Sequence, residues 1–134
     1  MKKNLLVLFL LAFAVSGVSE VFAAGLVEAA TVTEQFHLRA DKTPLVRKAI
    51  VKACEKRGWV VSKETDNEIE AILQKRSYSL TVSISYSNDG YSIAYKDSTG
   101  LKYDPEKNRI HSSYARWLKN LNIDINADIN LLNG

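Results

Sequence analysis

The apolar positions of the chain change their period along its length, and each change predicts a different element. Between Thr43 and Gly58 they recur at helical spacing, with basic and acidic residues on the opposite side. Thr43 is expected to cap this helix, Pro44 suits its first turn, and Gly58 suits a left-handed C-terminal end. The segment is therefore predicted to be an amphipathic helix with one apolar stripe, formed by Val46, Ala49, Ile50, Ala53 and Cys54.

After this helix the period becomes two, which is typical of strands. The clearest alternation runs from Tyr78 to Tyr86, and the turn sequence Asn88–Gly90 predicts a hairpin leading into a strand over Tyr91–Lys96. Weaker alternation predicts strands over Trp59–Lys63 and Ile69–Gln74, and for the second of these a helix is the alternative. These segments follow one another closely, so they predict an antiparallel meander.

The remaining patterned segments lie at the two ends of the domain. Val32–Leu38 alternates and could add an edge strand, whereas Asp97–Gly100 and Asp104–Glu106 bound a predicted loop that carries Leu101 and Tyr103. A final helix is predicted from Asn108 or His111 to Ile129, again with a single apolar stripe. The predicted fold class is α+β: a two-layer sandwich in which an antiparallel meander of three to four strands has two helices packed on one face.

The first residues read as a targeting segment. Two lysines at positions 2 and 3 precede an apolar run from Leu5 to Val15, and Val21-Phe22-Ala23 follows. This order is typical of a secretory signal peptide cleaved after Ala23, and the run is shorter than the roughly 20 residues of a membrane-spanning helix. The chain is thus predicted to comprise a signal peptide (1–23), an N-terminal tail with the possible edge strand (24–40) and one α+β domain (41–131). Export to a bacterial periplasm is expected.

Charge and cysteine content narrow the classes of partner. The formal net charge of +3 falls to +2 without residues 1–23, and charges of both signs alternate along the chain. A nucleic-acid binder would gather lysine and arginine on one face, so no nucleic-acid partner is expected.

Cys54 is the single cysteine, which rules out an internal disulfide and favours a buried, unreactive thiol on the first helix. After cleavage we expect a monomer without stable membrane insertion.

The residues that carry chemistry are sparse. His37 and His111 are the only histidines, and the sequence has no cluster of several His, Cys and carboxylate ligands of the kind that metal sites use, so no metal and no cofactor are expected. No serine lies in a Gly-x-Ser-x-Gly turn, and no histidine is near Cys54 in sequence. The sequence is therefore expected to belong to a protein that is not an enzyme.

The tyrosines give one candidate binding site. It lies where the loop after the hairpin meets the start of the last helix, and we call its members the tyrosine group: Tyr95, Tyr103, His111, Tyr114 and Arg116. Tyrosine is common where one end of a side chain is wet, so the group could contact a ligand. In the alternative interpretation, His111 and the tyrosine hydroxyls only hold the loop against the helix.

Four segments resemble a family of small bacterial envelope proteins, many of whose members are described as lipoproteins. They are Ala53-Cys54-x-x-x-Gly58-Trp59, Tyr91-Ser92-Ile93-x-Tyr95-x-x-Ser98, Leu101-x-Tyr103-Asp104 and Ile110-His111-x-x-Tyr114-x-x-Trp117. The resemblance covers roughly Ile50 to Leu121 and implies a periplasm-facing α+β domain, with no known activity or ligand. The chain departs from the family in lacking a lipid-bearing cysteine near the cleavage site, and in having Ala115 where the family has asparagine.

Two functions from different classes follow. The first is a periplasmic, non-enzymatic binding or accessory module of the cell envelope, which holds an envelope protein, a peptide or a glycan. The alternative is a small envelope hydrolase, or an inhibitor of an envelope enzyme, in which His111 is the one credible general base.

Overall fold

The computed structural model describes residues 25–133, so the signal peptide predicted for residues 1–23 lies outside the described residues. In chain order the elements are β1 (Leu26–Glu28), β2 (Val32–Gln35), α1 (Thr43–Lys56), β3 (Val60–Glu64), β4 (Glu68–Gln74), β5 (Ser79–Ser87), β6 (Gly90–Thr99), β7 (Arg109–His111) and α2 (Ser113–Asn130). Short 3-10 turns precede α1, at Ala40–Lys42, and follow α2, at Leu131–Asn133.

The main sheet has five strands in the order β2-β6-β5-β4-β3, and every neighbouring pair is antiparallel. Strands β3 to β6 form the predicted meander, and β2 pairs with β6 in the register Val32↔Ile93. The α+β class is confirmed, but the predicted three to four strands are too few. A second, two-stranded sheet joins β1 to β7.

The strict alternation of the strands places their apolar residues on one face of the sheet. Ile69, Ile84 and Ile93 lie side by side in one row across β4, β5 and β6. These residues and the buried stripes of both helices belong to a single hydrophobic core. On the other face, hydroxyl pairs such as Ser79–Thr99, at 2.9 Å, join neighbouring strands at the surface.

Helix α1 ends as the sequence predicts. Gly58 has φ +85°, its N–H donates to the Glu55 carbonyl, and the Trp59 N–H donates to the Cys54 carbonyl. Together these bonds form a Schellman motif, which leaves Trp59 buried directly after the helix. The expected cap is wrong at the other end, because the Thr43 hydroxyl donates back to the Ala40 carbonyl of the preceding 3-10 turn.

The N-terminal segment and the start of the last helix differ from expectation. Leu26–Glu28 is a strand paired with Arg109–His111, and Val27 lies opposite Ile110, so the predicted loose tail is wrong there. Helix α2 consequently begins at Ser113 and not at Asn108 or His111. Asn108 has φ +52°, a left-handed conformation that no right-handed helix can include.

The segment Asp97–Gly100, expected to be a loop, mostly continues strand β6. The register shifts between Val82↔Tyr95 and Thr81↔Asp97, so β6 has one extra residue, which is Lys96. This bulge preserves strand pairing as far as Thr99. The chain turns only at Gly100, whose φ is +75°.

Candidate functional site

Three members of the tyrosine group come together. The ring of Tyr95 stacks on that of Tyr103, with centroids 4.0 Å apart and planes inclined by 24°. The ring of Tyr114 lies against Tyr95 at 6.3 Å and 60°. The expected convergence of strand β6, the following loop and helix α2 is therefore present for these rings.

Each of the three tyrosine hydroxyls forms a hydrogen bond within the chain. Tyr95 pairs with the hydroxyl of Ser98 at 2.8 Å, and Tyr103 donates to the side-chain oxygen of Asn108 at 3.2 Å. The hydroxyl of Tyr114 donates to a backbone carbonyl, that of Ala30, at 2.8 Å. Tyr114 is almost completely buried, and burial raises the pKa of its hydroxyl. The three rings therefore pack in the core or against it, while their hydroxyl groups are hydrogen-bonded within the chain.

The other two members of the group lie beside the first residue of helix α2, Ser113. His111 is exposed, and its Nδ1 accepts a hydrogen bond from the backbone N–H of Ser113 at 3.1 Å. Arg116 is also exposed and donates to the Ser113 hydroxyl at 3.4 Å. The contact of this segment with the loop is made by the backbone, since the His111 N–H donates to the Leu101 carbonyl.

A second aromatic site was not predicted from the sequence. We call it the tryptophan pocket: a cavity of about 170 Å³ lined by Arg57, Trp59, Leu73, Lys75, Trp117 and Asn120. These residues come from the end of α1, the chain entering β3, the end of β4 and helix α2. The pocket therefore forms where four separate segments meet at one end of the main sheet.

Two aromatic rings line the pocket, and a third ring packs against one of them. Trp59 and Trp117 are the only two tryptophans of the chain, and both line the pocket. Trp59 is buried, whereas Trp117 is half-buried and stacks on Tyr78, with centroids 5.0 Å apart and planes inclined by 22°. Tyr78 is itself positioned by the turn between β4 and β5, where the Lys75 N–H donates to the Tyr78 carbonyl at 2.9 Å.

Two cations of different character flank these rings. Arg57 is fixed by Asp124, with its Nε 2.6 Å from Oδ2 and its Nη2 3.3 Å from Oδ1. The hydrogen bond from the guanidinium lowers the pKa of the Asp124 carboxyl. Lys75 is exposed, and within residues 25–133 its ammonium group has no hydrogen-bonding or ionic partner. The pocket thus combines flat apolar surface, an oriented guanidinium, a free ammonium and the amide of Asn120.

Within residues 25–133 no group of three or more His, Cys, Asp or Glu side chains could hold a metal ion. Neither α1 nor α2 is both long and apolar enough to span a membrane. Comparisons with protein-family models, curated proteins and solved structures find no match to this chain.

Proposed function

We propose that this protein is a non-enzymatic binding module of the cell envelope, and that its tryptophan pocket holds a saccharide bearing a negative charge. The observation that carries the proposal is the stacked Tyr78–Trp117 pair beside two cations. Sugar rings present flat C–H faces, which pack on aromatic rings, and hydroxyl groups, which need hydrogen-bonding partners. An aromatic platform with polar groups at its border offers both.

The size and charge of the pocket define the ligand further. A volume of about 170 Å³ is below the roughly 300–1,000 Å³ of sites for drug-sized ligands, so one sugar ring or the end of a chain fits best. Arg57 and Asp124 neutralise each other, which leaves Lys75 as the uncompensated charge at the pocket. A carboxylate on the sugar would pair with this ammonium, and the side chain of Asn120 would bind a hydroxyl.

Intrinsic fluorescence tests the proposal without a label, because both tryptophans line the pocket. The chain lacking residues 1–23 is titrated with N-acetylmuramic acid, which carries a carboxylate, and with its neutral counterpart N-acetylglucosamine. We expect a saturable change of emission that is stronger for the acid. Lys75→Gln should remove this preference, whereas Lys107→Gln, an equal change of charge in an exposed loop, should retain it. No saturable response to either sugar would contradict the proposal.

The hydrogen bonding of His111 does not favour a hydrolase, the first form of the alternative function. A general base is oriented by a side-chain partner, but the Nδ1 of His111 accepts from the backbone N–H of Ser113, and within residues 25–133 no carboxylate or serine hydroxyl is hydrogen-bonded to the ring. The ring is exposed, so the inhibitor of an envelope enzyme stays the alternative. The periplasmic location is supported by the predicted signal peptide and by the resemblance to envelope proteins, and it remains part of the proposal.

A further inference from the structure

A second surface lies between the start of α1 and the end of α2, and it shares no residue with the tryptophan pocket. We call it the helix groove: a cavity of about 220 Å³ lined by Leu45, Lys48, Ala49, Lys52, Asp128, Leu131 and Leu132. The groove lies where the 3-10 turn Leu131–Asn133, which follows α2, meets the first turns of α1.

The groove exposes apolar side chains that the core does not use. Leu131 is 77 % exposed and Leu45 is 41 % exposed. Within residues 25–133 only four large apolar residues are this exposed, and these two line the same groove. Isolated exposed leucines are ordinary, but two that share one concave surface indicate a site of contact.

Basic side chains surround these leucines. Lys48 and Lys52 are four residues apart on the exposed side of α1, so they project from one face of the helix. Lys42 adds a third ammonium group, which donates to the Leu132 carbonyl at 2.9 Å. The groove has one carboxylate, that of Asp128, to offset these three positive charges. The groove is therefore apolar at its centre and positive at its rim.

We infer that the helix groove docks on an anionic lipid surface, with Leu45 and Leu131 entering the headgroup region and the lysines meeting the phosphates. Surfaces that combine exposed apolar residues with lysine bind such membranes. A second copy of the chain fits less well, because symmetric pairing would bring the three lysines of one groove towards those of the other. The inference concerns contact with the surface of the bilayer, not insertion across it.

Co-sedimentation with vesicles tests this inference. The chain lacking residues 1–23 is required, because the uncleaved apolar segment Leu5–Val15 would bind vesicles by itself. We expect binding to vesicles of phosphatidylglycerol and phosphatidylcholine in equal parts, weaker binding when salt is raised, and little binding to phosphatidylcholine alone. Each lysine near an anionic surface contributes about a fivefold gain in affinity, so the double variant Lys48→Gln/Lys52→Gln should bind about 25-fold more weakly.

The matched control is Lys102→Gln/Lys107→Gln, which removes the same charge from the exposed loop before β7. This variant should bind as the unchanged chain does, and Leu131→Ser should weaken binding at any salt concentration. Circular dichroism verifies that each variant remains folded. The inference is overturned if the unchanged chain does not bind the anionic vesicles, if both lysine pairs weaken binding equally, or if ultracentrifugation shows a dimer whose formation Leu131→Ser abolishes while vesicle binding persists.

Discussion

Three glycines separate two physical effects that a methyl group can have on this fold. Gly58 has a left-handed backbone, with φ +85°, and an added Cβ would meet open space. Gly90 has no such conformation, but its Cβ would lie 2.5 Å from the Glu34 carbonyl oxygen. Gly100 combines both conditions: φ is +75° and the Cβ would lie 2.3 Å from the Ser77 carbonyl oxygen. Substitution by alanine therefore measures backbone strain at Gly58, overpacking at Gly90 and the sum of the two at Gly100.

The magnitudes follow from the two effects. A left-handed conformation costs a residue with a Cβ about 1–2 kcal/mol, which is the loss of unfolding free energy expected for Gly58→Ala. Overpacking costs about 1–3 kcal/mol, and Gly90→Ala should fall in this range. Gly100→Ala should lose about 2–5 kcal/mol, because it has both costs. Alanine also stiffens the unfolded chain by about 0.4–1 kcal/mol, but this gain is common to the three variants.

Urea unfolding followed by far-ultraviolet circular dichroism measures these losses, provided that the dependence on urea concentration is unchanged. Relief of the close contact at Gly100 would also displace Tyr78 beside the tryptophan pocket, since the added methyl would lie 3.1 Å from the Cβ of Tyr78. Tyr78 stacks on Trp117, so the fluorescence of the folded Gly100→Ala variant should change, whereas that of Gly90→Ala, whose added methyl would meet Glu34 and Gln35, should not. If Gly100→Ala were no less stable than Gly58→Ala, the close backbone approach at the β4–β5 turn would be refuted.

Three further predictions concern individual side chains: a thiol, two tyrosine hydroxyls and one ion pair. Burial raises the pKa of the Cys54 thiol to about 12, so a thiol reagent should label it slowly at neutral pH and completely in denaturant; rapid labelling of the folded protein would contradict this burial. Tyr114→Phe should lower the free energy of unfolding by about 1 kcal/mol, and the half-buried Tyr103→Phe should lower it less; equal losses would contradict the difference in burial. Because Arg57 lowers the pKa of Asp124 below its ordinary 3.8, the pair stabilises the fold above that value and loses its effect as the pH falls through the lowered pKa. The melting-temperature difference between the unchanged chain and Asp124→Asn should therefore be present at neutral pH and disappear in strong acid; a difference independent of pH would contradict the ion pair.

The elements that the sequence predicts correctly have local causes. Helix α1 ends just before Gly58, because the left-handed backbone of this residue lets the N–H groups of Gly58 and Trp59 bind the last carbonyls, and the residue type alone predicts this end. The β5–β6 hairpin follows from Asn88–Gly90 and from alternation on both sides. By contrast, the pairing of Leu26–Glu28 with Arg109–His111 joins segments far apart in the chain. Each is too short to carry a pattern of its own, so the sequence predicts a tail at the first and the start of a helix at the second.

At the start of α2, a spacing of four residues between two buried side chains is compatible with two different backbone structures. Ile110 and Tyr114 are four residues apart, as two residues on one face of a helix would be. Both are buried in the same core, yet Ile110 reaches it from strand β7 and only Tyr114 from the helix. The apolar period therefore predicts which side chains are buried, while the left-handed Asn108 and the partner strand β1 determine the conformation that buries them.

The two aromatic sites differ in how far their polar groups are already bound within the chain. The spacing of Tyr95, Tyr103 and Tyr114 predicts that their rings meet, but the hydrogen bonds of their hydroxyls can be seen only in the fold. Because those bonds are internal, a ligand at the tyrosine group would have to replace them. At the tryptophan pocket the rings of Trp117 and its stacking partner are half-buried, and within the described residues the Lys75 ammonium has no partner. A ligand there would gain a charge-assisted hydrogen bond without breaking one, which is why we propose this pocket as the binding site.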